Sequence, residues 1–492
     1  MIISALLKDG YKVGHPFQYP KDTEEVYSNL TARKGRDPEF KGIVFFLLQH
    51  FVQKYLIDHF NHNFFKLSEE YVMKQYSRRI NNYLGKGAIT FDHIRDRHRL
   101  GYLPIHIKAV PEGTFVPYGV PCLTIRNTKK EFFWVTNMLE TLMSAELWHA
   151  CTSATNARHY RRTFERYSKM TVSNEKNPFI PWQGHDFSFR GMSGLESASA
   201  SGAAHLLYFT GTDTIPSIDF LEYYYGANSD TEVVGGSVPA TEHSVMCMGL
   251  EESELDTYRR MLTEVCPSGV VSIVSDTWDY WNVLTNILPK LKEVILARNG
   301  KLVIRPDSGQ PDLIINGDPE APEGSPENKG SIRILDEIFG HTKTALGYKV
   351  LHPNIGLIYG EKINRALQER ILHGLKNNGY ASDNVVLGIG SYNYQYVTRD
   401  NHGFAIKATF GKTVSQGDVQ IYKNPKTDDG TKKSAKGLIR VDRVDGQLKA
   451  TDCVSREEEE GGVLETVFLD GEMKRFQTLQ QIRAIAESEL FL

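Results

Sequence analysis

Leu302-Val303-Ile304-Arg305-Pro306-Asp307-Ser308-Gly309 is the stretch of this sequence that decides the fold. Its three leading apolar residues predict a buried strand, and the charged, Pro- and Gly-containing residues that follow predict a turn. Pro306 restricts the backbone of the turn, so Arg305 and Asp307 are held in a fixed relation where the strand ends. The pair either binds a ligand at this rim or forms a structural Arg–Asp bridge that caps the sheet.

The same order of apolar run and polar turn recurs from about residue 180 to about residue 400. Helical patterns, such as Ile363–Leu372, lie between several of the runs. The polar turns are Asp186–Gly191, Thr210–Thr214, Gly236-Ser237, Ser275-Asp276, Tyr359-Gly360 and Gly388–Gly390. Repeated strand, turn and helix predict βα units and a parallel sheet, whose ligands bind at the C-terminal ends of the strands. Because polar turns follow nearly every run, we expect an irregular α/β barrel rather than an open sheet.

The residues outside this region have a different pattern. Phe40–Ile57 has the apolar spacing of a helix, Pro104–Val110 alternates like a half-exposed strand, and Ala154–Lys169 has the pattern of an amphipathic helix. We therefore predict an N-terminal, β-rich α+β domain over residues 1–150, completed by the tail 410–492, and an α/β barrel domain over residues 151–409.

Composition excludes several classes of protein. The chain has 492 residues, 40% of them hydrophobic, and a formal net charge of −3, so it can form a large core and has no basic excess. Neither nucleic acid nor a membrane is indicated as a partner. The first residues lack the basic start and long apolar run of a signal peptide. The five cysteines are scattered, without a Cys-x-x-Cys pair, which predicts reduced thiols, no structural zinc and a cytoplasmic protein.

The side chains in the polar turns indicate a site for a phosphorylated sugar. Cationic side chains suit phosphate, Gly-rich turns offer backbone N–H groups, and carboxylates suit hydroxyls or a divalent ion. The cations are Arg190, Arg305, Arg399 and Lys407, and the carboxylates are Asp276 and Asp307. A single arginine is more often a surface salt-bridge partner, whereas several at the strand ends of one barrel favour a phosphate site.

Gly236–Ser244 places His243 directly after a Gly- and Pro-containing turn, at the predicted start of a helix. We expect Thr241 to cap this helix and Glu242 to lie in its first turn, near a helix end where anions bind readily. The alternative is a plain surface histidine. Phe187 also has two interpretations, as an ordinary core residue or as an exposed platform for a planar ring.

Several ordered motifs resemble those of the nicotinamide phosphoribosyltransferase family over nearly the whole chain. They are Asp9–Val13, His185–Gly191, Gly211–Thr214, Ser237–Ser244, Ser275-Asp276, Ile304–Gly309 and Thr398–Asp400. The resemblance implies the type II phosphoribosyltransferase fold, an irregular α/β barrel with a flanking β-rich domain. It also implies a homodimer with active sites at the subunit interface, which makes nicotinamide mononucleotide and pyrophosphate from nicotinamide and phosphoribosyl pyrophosphate.

Carried over by position, the resemblance gives these residues roles. Phe187 and Tyr11 of the partner subunit would sandwich the pyridine ring, and Asp213 would accept a hydrogen bond from the carboxamide. His243 would be phosphorylated by ATP, which couples ATP hydrolysis to synthesis, and Asp276 would orient its imidazole.

The remaining roles concern the sugar and its phosphates. Arg190 and Arg305 would hold ring, ribose or phosphate oxygens, and Asp307 the ribose hydroxyls. Further substrate-binding positions are Asp9, His185, Ser237, Gly360, Glu361, Gly390, Ser391, Arg399, Lys407 and Lys423, the last three on the phosphate and ATP side. Glu361 and Ser391 depart from the family's usual Gly-Asp and Gly-rich turns. Mg²⁺ is the implied cofactor, without assigned ligands in the chain, and ATP is the coupling substrate.

Three alternatives remain beside this interpretation. The sister family, nicotinate phosphoribosyltransferase, is disfavoured by Asp213, because a carboxylate beside the carboxylate of nicotinate costs roughly 1–4 kcal/mol at a few ångströms. A phosphosugar lyase or isomerase would need a Schiff-base lysine or a lone glutamate base at a strand end, and neither stands out. A non-catalytic homologue would have lost His243, the Arg-Pro-Asp turn and the aromatic pair, all of which are present.

Overall fold

The computed structural model describes residues 2–423 and 435–492. Two compact units make up the chain. The barrel unit comprises Asn156–Phe220 and Asn228–Tyr396, and the sheet unit comprises Met1–Thr155, Leu221–Ala227 and Val397–Leu492.

The barrel unit is built on five parallel strands. In spatial order they are Gly184–Asp186, Val385–Ile389, Ile355–Tyr359, Leu302–Arg305 and Val271–Val274. The central register places Ile304 between Ile273 and Leu357, and all three side chains are buried. The apolar runs of the sequence therefore form the strands of one parallel sheet, as their short, nearly continuous hydrophobic pattern predicts.

Single bridges, rather than full strands, close this sheet into a ring. Asp186 pairs in parallel with Thr212, Gly211 with Gly236, and Ala240 with Ser272. The strand Gly184–Asp186 is thus connected to the strand Val271–Val274 through two short segments, one at Gly211-Thr212 and one from Gly236 to Ala240. The prediction of an irregular α/β barrel is confirmed, and the irregularity lies in these two segments.

Helices follow most strands of the barrel unit. They are Ile180–Gln183, Leu195–His205, Pro216–Tyr225 up to Phe220, His243–Met248, Glu254–Arg260 with Met261–Val265, Tyr280–Asn282 with Val283–Ile287 and Leu288–Lys290, Lys292–Ala297, Pro311–Asn316, Pro326–Lys329, Ser331–Phe339, Arg365–Asn377 and Ser391–Tyr394. A small antiparallel pair, His341–Lys343 with Lys349–Leu351, completes the unit.

The sheet unit is dominated by an antiparallel sheet of seven strands. Their order is Gly417–Gln420, Phe404–Thr413, Thr23–Ala32, Pro121–Asn127, Ile105–Ala109, Glu465–Leu469 and Glu472–Met473. Two smaller pairs are Gly42–Val44 with Phe115–Pro117, and Leu438–Val444 with Gln447–Val454. Strands from the tail thus pair directly with Thr23–Ala32 and with Ile105–Ala109 near the start of the chain. The strand predicted over Pro104–Val110 is confirmed by Ile105–Ala109.

The helices of the sheet unit are fewer and longer. They are His15–Gln18, Leu48–Phe51 with Val52–His59 and Asn61–Phe65, Glu69–Leu84, Asp92–Leu100, Val135–Thr171 up to Thr155, Arg456–Glu460 and Leu479–Ser488. The helix predicted over Ala154–Lys169 is confirmed as part of Val135–Thr171. No helix in the described residues is both long enough and apolar enough to cross a membrane.

The helix predicted over Phe40–Ile57 is wrong in its first half. Gly42–Val44 is a strand, and the helix begins only at Leu48. A distant carboxylate sets this start, because Glu112 accepts hydrogen bonds from the backbone N–H groups of Leu47 (2.9 Å) and Gln49 (2.5 Å). An apolar run that is buried on all sides fits a strand or a helix equally well, so periodicity could not locate this boundary.

Candidate active site

A cavity of about 400 Å³ lies inside the barrel unit, among residues of its strands. Arg305, Phe187, Asp213 and Ser237 line it from the turns that follow the strands. Phe187 and Asp213 also line a neighbouring pocket of about 500 Å³ that contains Arg190. The predicted turn residues therefore converge at the C-terminal ends of the strands, where barrels of this class bind ligands.

Two glycines position the ring of Phe187. A Cβ atom on Gly388 would lie 2.3 Å from Cδ2 of Phe187, and one on Gly360 would lie 3.2 Å from the same atom. The ring also lies 4.7 Å from the ring of His185, centroid to centroid. Phe187 is half-buried and lines both pockets, so its geometry fits an aromatic platform better than an ordinary core residue.

Asp213 is oriented through one of its two carboxylate oxygens. Oδ1 accepts hydrogen bonds from Nε2 of His185 and from Oγ of Ser237, each at 2.8 Å. Oδ2 has no partner among the described residues and remains available to a ligand. Burial opposes ionisation, but the hydrogen bonds from His185 and Ser237 and the charge of Arg305 outweigh it, so the pKa of Asp213 is lowered. The site therefore presents an ionised carboxylate that can only accept hydrogen bonds.

Asp276 connects two turns and the histidine. Its Oδ1 lies 3.2 Å from Nε2 of His243, and its Oδ2 accepts a 2.9 Å hydrogen bond from the backbone N–H of Asp307. The Asp276 side chain is 5% exposed, whereas that of His243 is 47% exposed. A buried carboxylate thus holds a histidine whose other ring nitrogen faces away from it.

The cap predicted for the helix that starts at His243 is wrong. Glu242 occupies the capping position, and no side chain caps the helix. Thr241 is buried and its Oγ1 accepts a 3.0 Å hydrogen bond from the backbone N–H of Val274. Its carbonyl oxygen accepts a 2.7 Å hydrogen bond from Arg305. Parallel pairing of Ala240 with Ser272 brings Thr241 beside the strand Val271–Val274, so its two hydrogen bonds attach the chain before His243 to the barrel.

The other rim residues fall into two groups. A Cβ atom on Gly360 would lie 3.5 Å from Oδ1 of Asp307, so these two turns meet, while Glu361 next to Gly360 is half-exposed and pairs with Lys362. On the other side, Gly191 adjoins Ser391, because a Cβ atom on Gly191 would lie 2.1 Å from Oγ of Ser391. Arg190 and Gly390 lie beside this second contact in the chain.

The sheet unit contains a separate polar pocket of about 360 Å³. Asp9, Tyr11, Arg399 and Lys407, all predicted site residues, line it together with Arg33 and Glu140. Tyr11 is 63% exposed. Glu140 bridges Lys12 at 2.6 Å and Lys407 at 3.7 Å. Lys423 is exposed at the end of the first described stretch.

Sequence reasoning missed Arg33. It directly follows the strand Thr23–Ala32 and brings a third cation to the pocket beside Arg399 and Lys407. The signal that could have found it is the basic run Arg33-Lys34-Gly35-Arg36 directly behind a strand-like segment.

The described residues contain no group of three or more His, Cys, Asp or Glu side chains arranged to hold a metal ion. Asp307 offers one half-buried carboxylate at the barrel rim. Such a single carboxylate fits Mg²⁺ that is bound mainly through phosphate oxygens of a substrate.

Two family models match this chain. The model of the nicotinate phosphoribosyltransferase family matches residues 182–469, and that of the N-terminal domain of nicotinamide phosphoribosyltransferase matches residues 4–107. Among solved structures, nicotinate-nucleotide pyrophosphorylase from Pyrococcus furiosus aligns with a TM-score of 0.58 and 13% identity, over 99% of this chain and 95% of that one. Human nicotinic acid phosphoribosyltransferase aligns with a TM-score of 0.52 and 14% identity, over 98% of this chain and 93% of that one. These structures share the fold.

Curated relatives are closer in sequence. The nicotinamide phosphoribosyltransferase of Acinetobacter baylyi is 50% identical over 96% of this chain and 95% of its own length. That of Mycoplasma pneumoniae is 35% identical over 87% of this chain and 93% of its own length. That of Xanthomonas campestris is 33% identical over 98% of this chain and 97% of its own length. On these matches, and with the barrel and its rim as described, the chain belongs to the nicotinamide phosphoribosyltransferase family of enzymes.

Proposed function

We propose that the protein transfers the 5-phosphoribosyl group of phosphoribosyl pyrophosphate to nicotinamide, giving nicotinamide mononucleotide and pyrophosphate for NAD synthesis. The observation that carries this proposal is Asp213, an ionised carboxylate held through Oδ1 at the rim of the barrel with Oδ2 free. A carboxamide N–H₂ is the hydrogen-bond donor that this acceptor fits. The names and identities of the relatives support the same reaction.

Phe187 supports binding of the pyridine ring. Its ring is seated on Gly388 and Gly360 and lines both pockets, so one face can stack on a planar ligand. Stacking and the Asp213 hydrogen bond together orient the ring nitrogen for attack on C1 of the ribose. Fixing two reactants in this way can supply about 7–11 kcal/mol of the barrier in favourable cases.

Arg305 and Asp307 support the sugar-binding role of the Arg-Pro-Asp turn. Breaking the bond from C1 to pyrophosphate builds positive charge on the ribose and negative charge on the leaving group. Arg305 lines the cavity and, after donating to Thr241, has a buried Nε with no partner among the described residues. Its guanidinium supplies positive charge beside the oxygens of the ring, ribose or phosphate, and Asp307 is available to the ribose hydroxyls or to the accompanying Mg²⁺.

The pocket of the sheet unit supports a shared active site in a homodimer. It gathers three cations, Arg33, Arg399 and Lys407, which suit phosphate oxygens, and an exposed Tyr11, which suits a stacking contact. We propose that this pocket completes the barrel site of the partner copy. In that arrangement Tyr11 of the partner subunit covers the face of the pyridine ring opposite Phe187.

His243 and Asp276 support coupling to ATP. Asp276 binds one imidazole nitrogen and leaves the other free to attack the γ-phosphorus of ATP, which yields a phosphohistidine and ADP. Hydrolysis of that phosphohistidine releases phosphate and drives synthesis. The half-exposed position of His243 allows ATP to reach it. We also propose a cytosolic location, supported by five cysteines that are all free thiols.

The reaction itself is tested by its stoichiometry. Purified protein, phosphoribosyl pyrophosphate, Mg²⁺ and nicotinamide are incubated, and nicotinamide mononucleotide and pyrophosphate are quantified. We expect equal amounts of the two products, and their loss in Arg305→Ala and Asp307→Ala. Absence of the mononucleotide with folded wild-type protein would overturn the proposal.

The ATP role has its own test. With γ-labelled ATP, we expect acid-labile label on the protein and a rise in the rate of mononucleotide formation. His243→Ala should lose both effects but keep a basal rate. The matched control is His62→Ala, which removes an exposed histidine on another unit and should change neither. ATP stimulation that persists in His243→Ala would refute the phosphohistidine.

A further inference from the structure

Asp186 is a buried acid between two residues of the proposed nicotinamide site. It ends the strand Gly184–Asp186, and its neighbours in the chain, His185 and Phe187, both line the cavity of the barrel unit. Asp186 itself is 0% exposed and does not line that cavity. Its carboxylate therefore does not touch a ligand there, and the proposed reaction gives it no role.

The carboxylate of Asp186 shapes the chain that carries Phe187. Its Oδ1 accepts a 2.9 Å hydrogen bond from the backbone N–H of Ser188, two residues further along the chain. A bond of this kind is an Asx turn, which bends the backbone at the residue between its ends. The N–H of Phe187 donates to the carbonyl oxygen of Ile389 at 3.1 Å. The neighbouring strand thus holds Phe187 from one side, and Asp186 holds the residue that follows it.

The main chain of Asp186 holds the turn that carries Asp213. Its N–H donates to the carbonyl oxygen of Gly211 at 3.1 Å, and its carbonyl oxygen accepts from the N–H of Asp213 at 2.9 Å. The two segments also pack closely, since a Cβ atom on Gly211 would lie 2.7 Å from Nδ1 of His185. A displacement of Asp186 is therefore passed on to the Asp213 turn.

The second carboxylate oxygen of Asp186 indicates a local role for this acid. Oδ2 is buried and has no hydrogen-bond partner among the described residues. A buried carboxylate with an unpaired oxygen disfavours folding, and an apolar side chain at the end of a strand would avoid that cost. What the acid adds at this position is the Oδ1 acceptor for Ser188.

We propose that Asp186 is a positioning residue for nicotinamide, which fixes the ring of Phe187 and the carboxylate of Asp213 relative to each other. This inference rests on the proposed function, in which those two side chains bind the pyridine ring and its carboxamide. Both contacts must form together for the ring nitrogen to face C1 of the ribose, and a residue bonded to both segments keeps their spacing fixed. Arg305 and Asp307 lie at the end of another strand, so Asp186 serves nicotinamide rather than phosphoribosyl pyrophosphate.

Two variants of Asp186 separate its hydrogen bond from its charge. Asp186→Ala removes the acceptor, whereas Asp186→Asn keeps an oxygen at the position of Oδ1 and removes the charge. The matched control is Asp336→Ala, which removes another acid of the barrel unit, with a side chain that is 8% exposed and accepts hydrogen bonds from three side chains. Asp336 does not line the cavity. Circular dichroism and thermal unfolding check that each variant is folded.

Backbone hydrogen–deuterium exchange measures the positioning without any substrate. Peptides that span residues 186–191 and 210–214 of the full-length protein are followed by mass spectrometry. In Asp186→Ala we expect faster exchange in both segments, because the N–H of Ser188 has lost its acceptor and the carbonyl group that holds Asp213 is free to move. Asp186→Asn and Asp336→Ala should leave exchange in both segments near that of the wild type.

Steady-state kinetics show which substrate the positioning serves. In Asp186→Ala we expect KM for nicotinamide to rise by about tenfold or more, since small misplacements of binding groups have large effects, while KM for phosphoribosyl pyrophosphate stays within about twofold. Asp186→Asn should restore most of the affinity for nicotinamide. Asp336→Ala should lower the thermal midpoint and leave both KM values unchanged, because a merely structural role does not separate the two substrates.

Three outcomes would overturn the proposal: unchanged exchange of both segments in Asp186→Ala, an equal rise in the two KM values, or an Asp186→Asn variant as impaired as Asp186→Ala. The last would assign the role to the charge and not to the hydrogen bond. Failure of the proposed function has a different signature. Wild-type protein would then form no mononucleotide, while exchange would still respond to Asp186→Ala, so the coupling of the two segments would stand without its assignment to nicotinamide.

Discussion

At the scale of single residues, the orientation of Asp213 is the basis of the amide selectivity that we propose. Both donors to the carboxylate, His185 and Ser237, bind Oδ1, so the ligand meets only Oδ2. His185 and Ser237 are predicted substrate-binding residues, and both line the cavity. Because each also donates to Oδ1 of Asp213, we propose that they position this carboxylate.

Ser237→Ala should therefore weaken nicotinamide binding without removing the chemistry. Loss of one hydrogen bond to a charged acceptor costs about 1.5 kcal/mol, which predicts a rise of roughly tenfold in KM for nicotinamide and a smaller change in kcat. Ser237→Thr keeps the hydroxyl and should remain near wild type. Steady-state kinetics with nicotinamide as the varied substrate measure both. A fall in kcat at unchanged KM would contradict the positioning role.

Substitutions at Gly388 and Gly390 form a matched pair that tests whether close packing against Gly388 positions the Phe187 ring. In Gly388→Ala the new Cβ would lie 2.3 Å from the Phe187 ring, so the ring must move. We expect kcat/KM for nicotinamide to fall on the order of a hundredfold, since small misplacements of a binding group have effects of this size. In Gly390→Ala the Cβ meets no atom within 4 Å, and the φ of −85° suits any residue, so the Phe187 ring stays in place and kcat/KM for nicotinamide should fall much less than in Gly388→Ala. Equal effects of the two substitutions would argue against this role of Gly388 in positioning the Phe187 ring.

Residue-level prediction from sequence succeeded where a motif combined strand, turn and charge. The Arg305-Pro306-Asp307 turn lies at the barrel rim as its pattern predicts. The cap assigned to Thr241 failed because pairing with a strand distant in sequence uses its hydroxyl instead. Arg33 was missed because its pocket forms only when the tail of the chain folds beside the first strand.

At the scale of elements, the Gly211–Asp213 turn depends on a buried neutral histidine. Nε2 of His205 donates to the carbonyl oxygen of Gly211 at 3.0 Å, and Nδ1 accepts from the hydroxyl of Tyr394 at 2.7 Å. Burial lowers the pKa of His205 from 6.5 to about 4. The neutral form is therefore favoured by folding.

This pKa shift predicts acid sensitivity of the barrel unit. Because the folded pKa lies below the unfolded one, the stabilisation is complete above pH 6.5 and is lost as the pH falls through about 4. The loss amounts to about 3 kcal/mol at most. His205→Gln should flatten this part of the pH profile of the thermal midpoint, measured by circular dichroism between pH 4 and pH 7.5. An unchanged slope in the variant would exclude His205 as the source.

Elements were predictable where their periodicity was unambiguous. Each of the longer barrel strands coincides with an apolar run that ends in a polar turn, and this pattern predicts it. The two bridging segments near Thr212 and Ala240 are too short to carry a pattern, so their pairing depends on the closed sheet. The strand Gly42–Val44 lies in a segment whose pattern predicts a helix, and periodicity could not identify it because its partner Phe115–Pro117 is distant in the sequence.

At the scale of the whole molecule, the proposed shared site makes a prediction about mixed subunits. Arg399→Ala alters the sheet unit and Asp307→Ala the barrel unit, and each variant alone should be nearly inactive. After the two are unfolded and refolded together, half of the dimers contain one of each, and each such dimer has one intact site. We therefore expect activity to return to about a quarter of wild type.

Size-exclusion chromatography confirms that the mixture is dimeric, and mixing Arg399→Ala with Lys407→Ala is the control. Both of these substitutions lie in the same pocket, so this pair should regain no activity. No recovery in the first pair would mean that each site lies within one chain, and recovery in the control pair would mean that Arg399 and Lys407 do not serve the same site. Sequence reasoning reached the homodimer only through the family resemblance, because no surface pattern in the chain indicates a partner.

The measurement that tests the central claim most directly is a competition between nicotinamide and nicotinate in one reaction with limiting phosphoribosyl pyrophosphate. Because Asp213 presents an ionised acceptor, repulsion of the nicotinate carboxylate by about 1–4 kcal/mol predicts that nicotinamide mononucleotide exceeds the acid product by at least about fivefold. In Asp213→Ser that ratio should fall towards one. A wild-type enzyme that favours nicotinate, or an Asp213→Ser variant with an undiminished amide preference, would contradict the account.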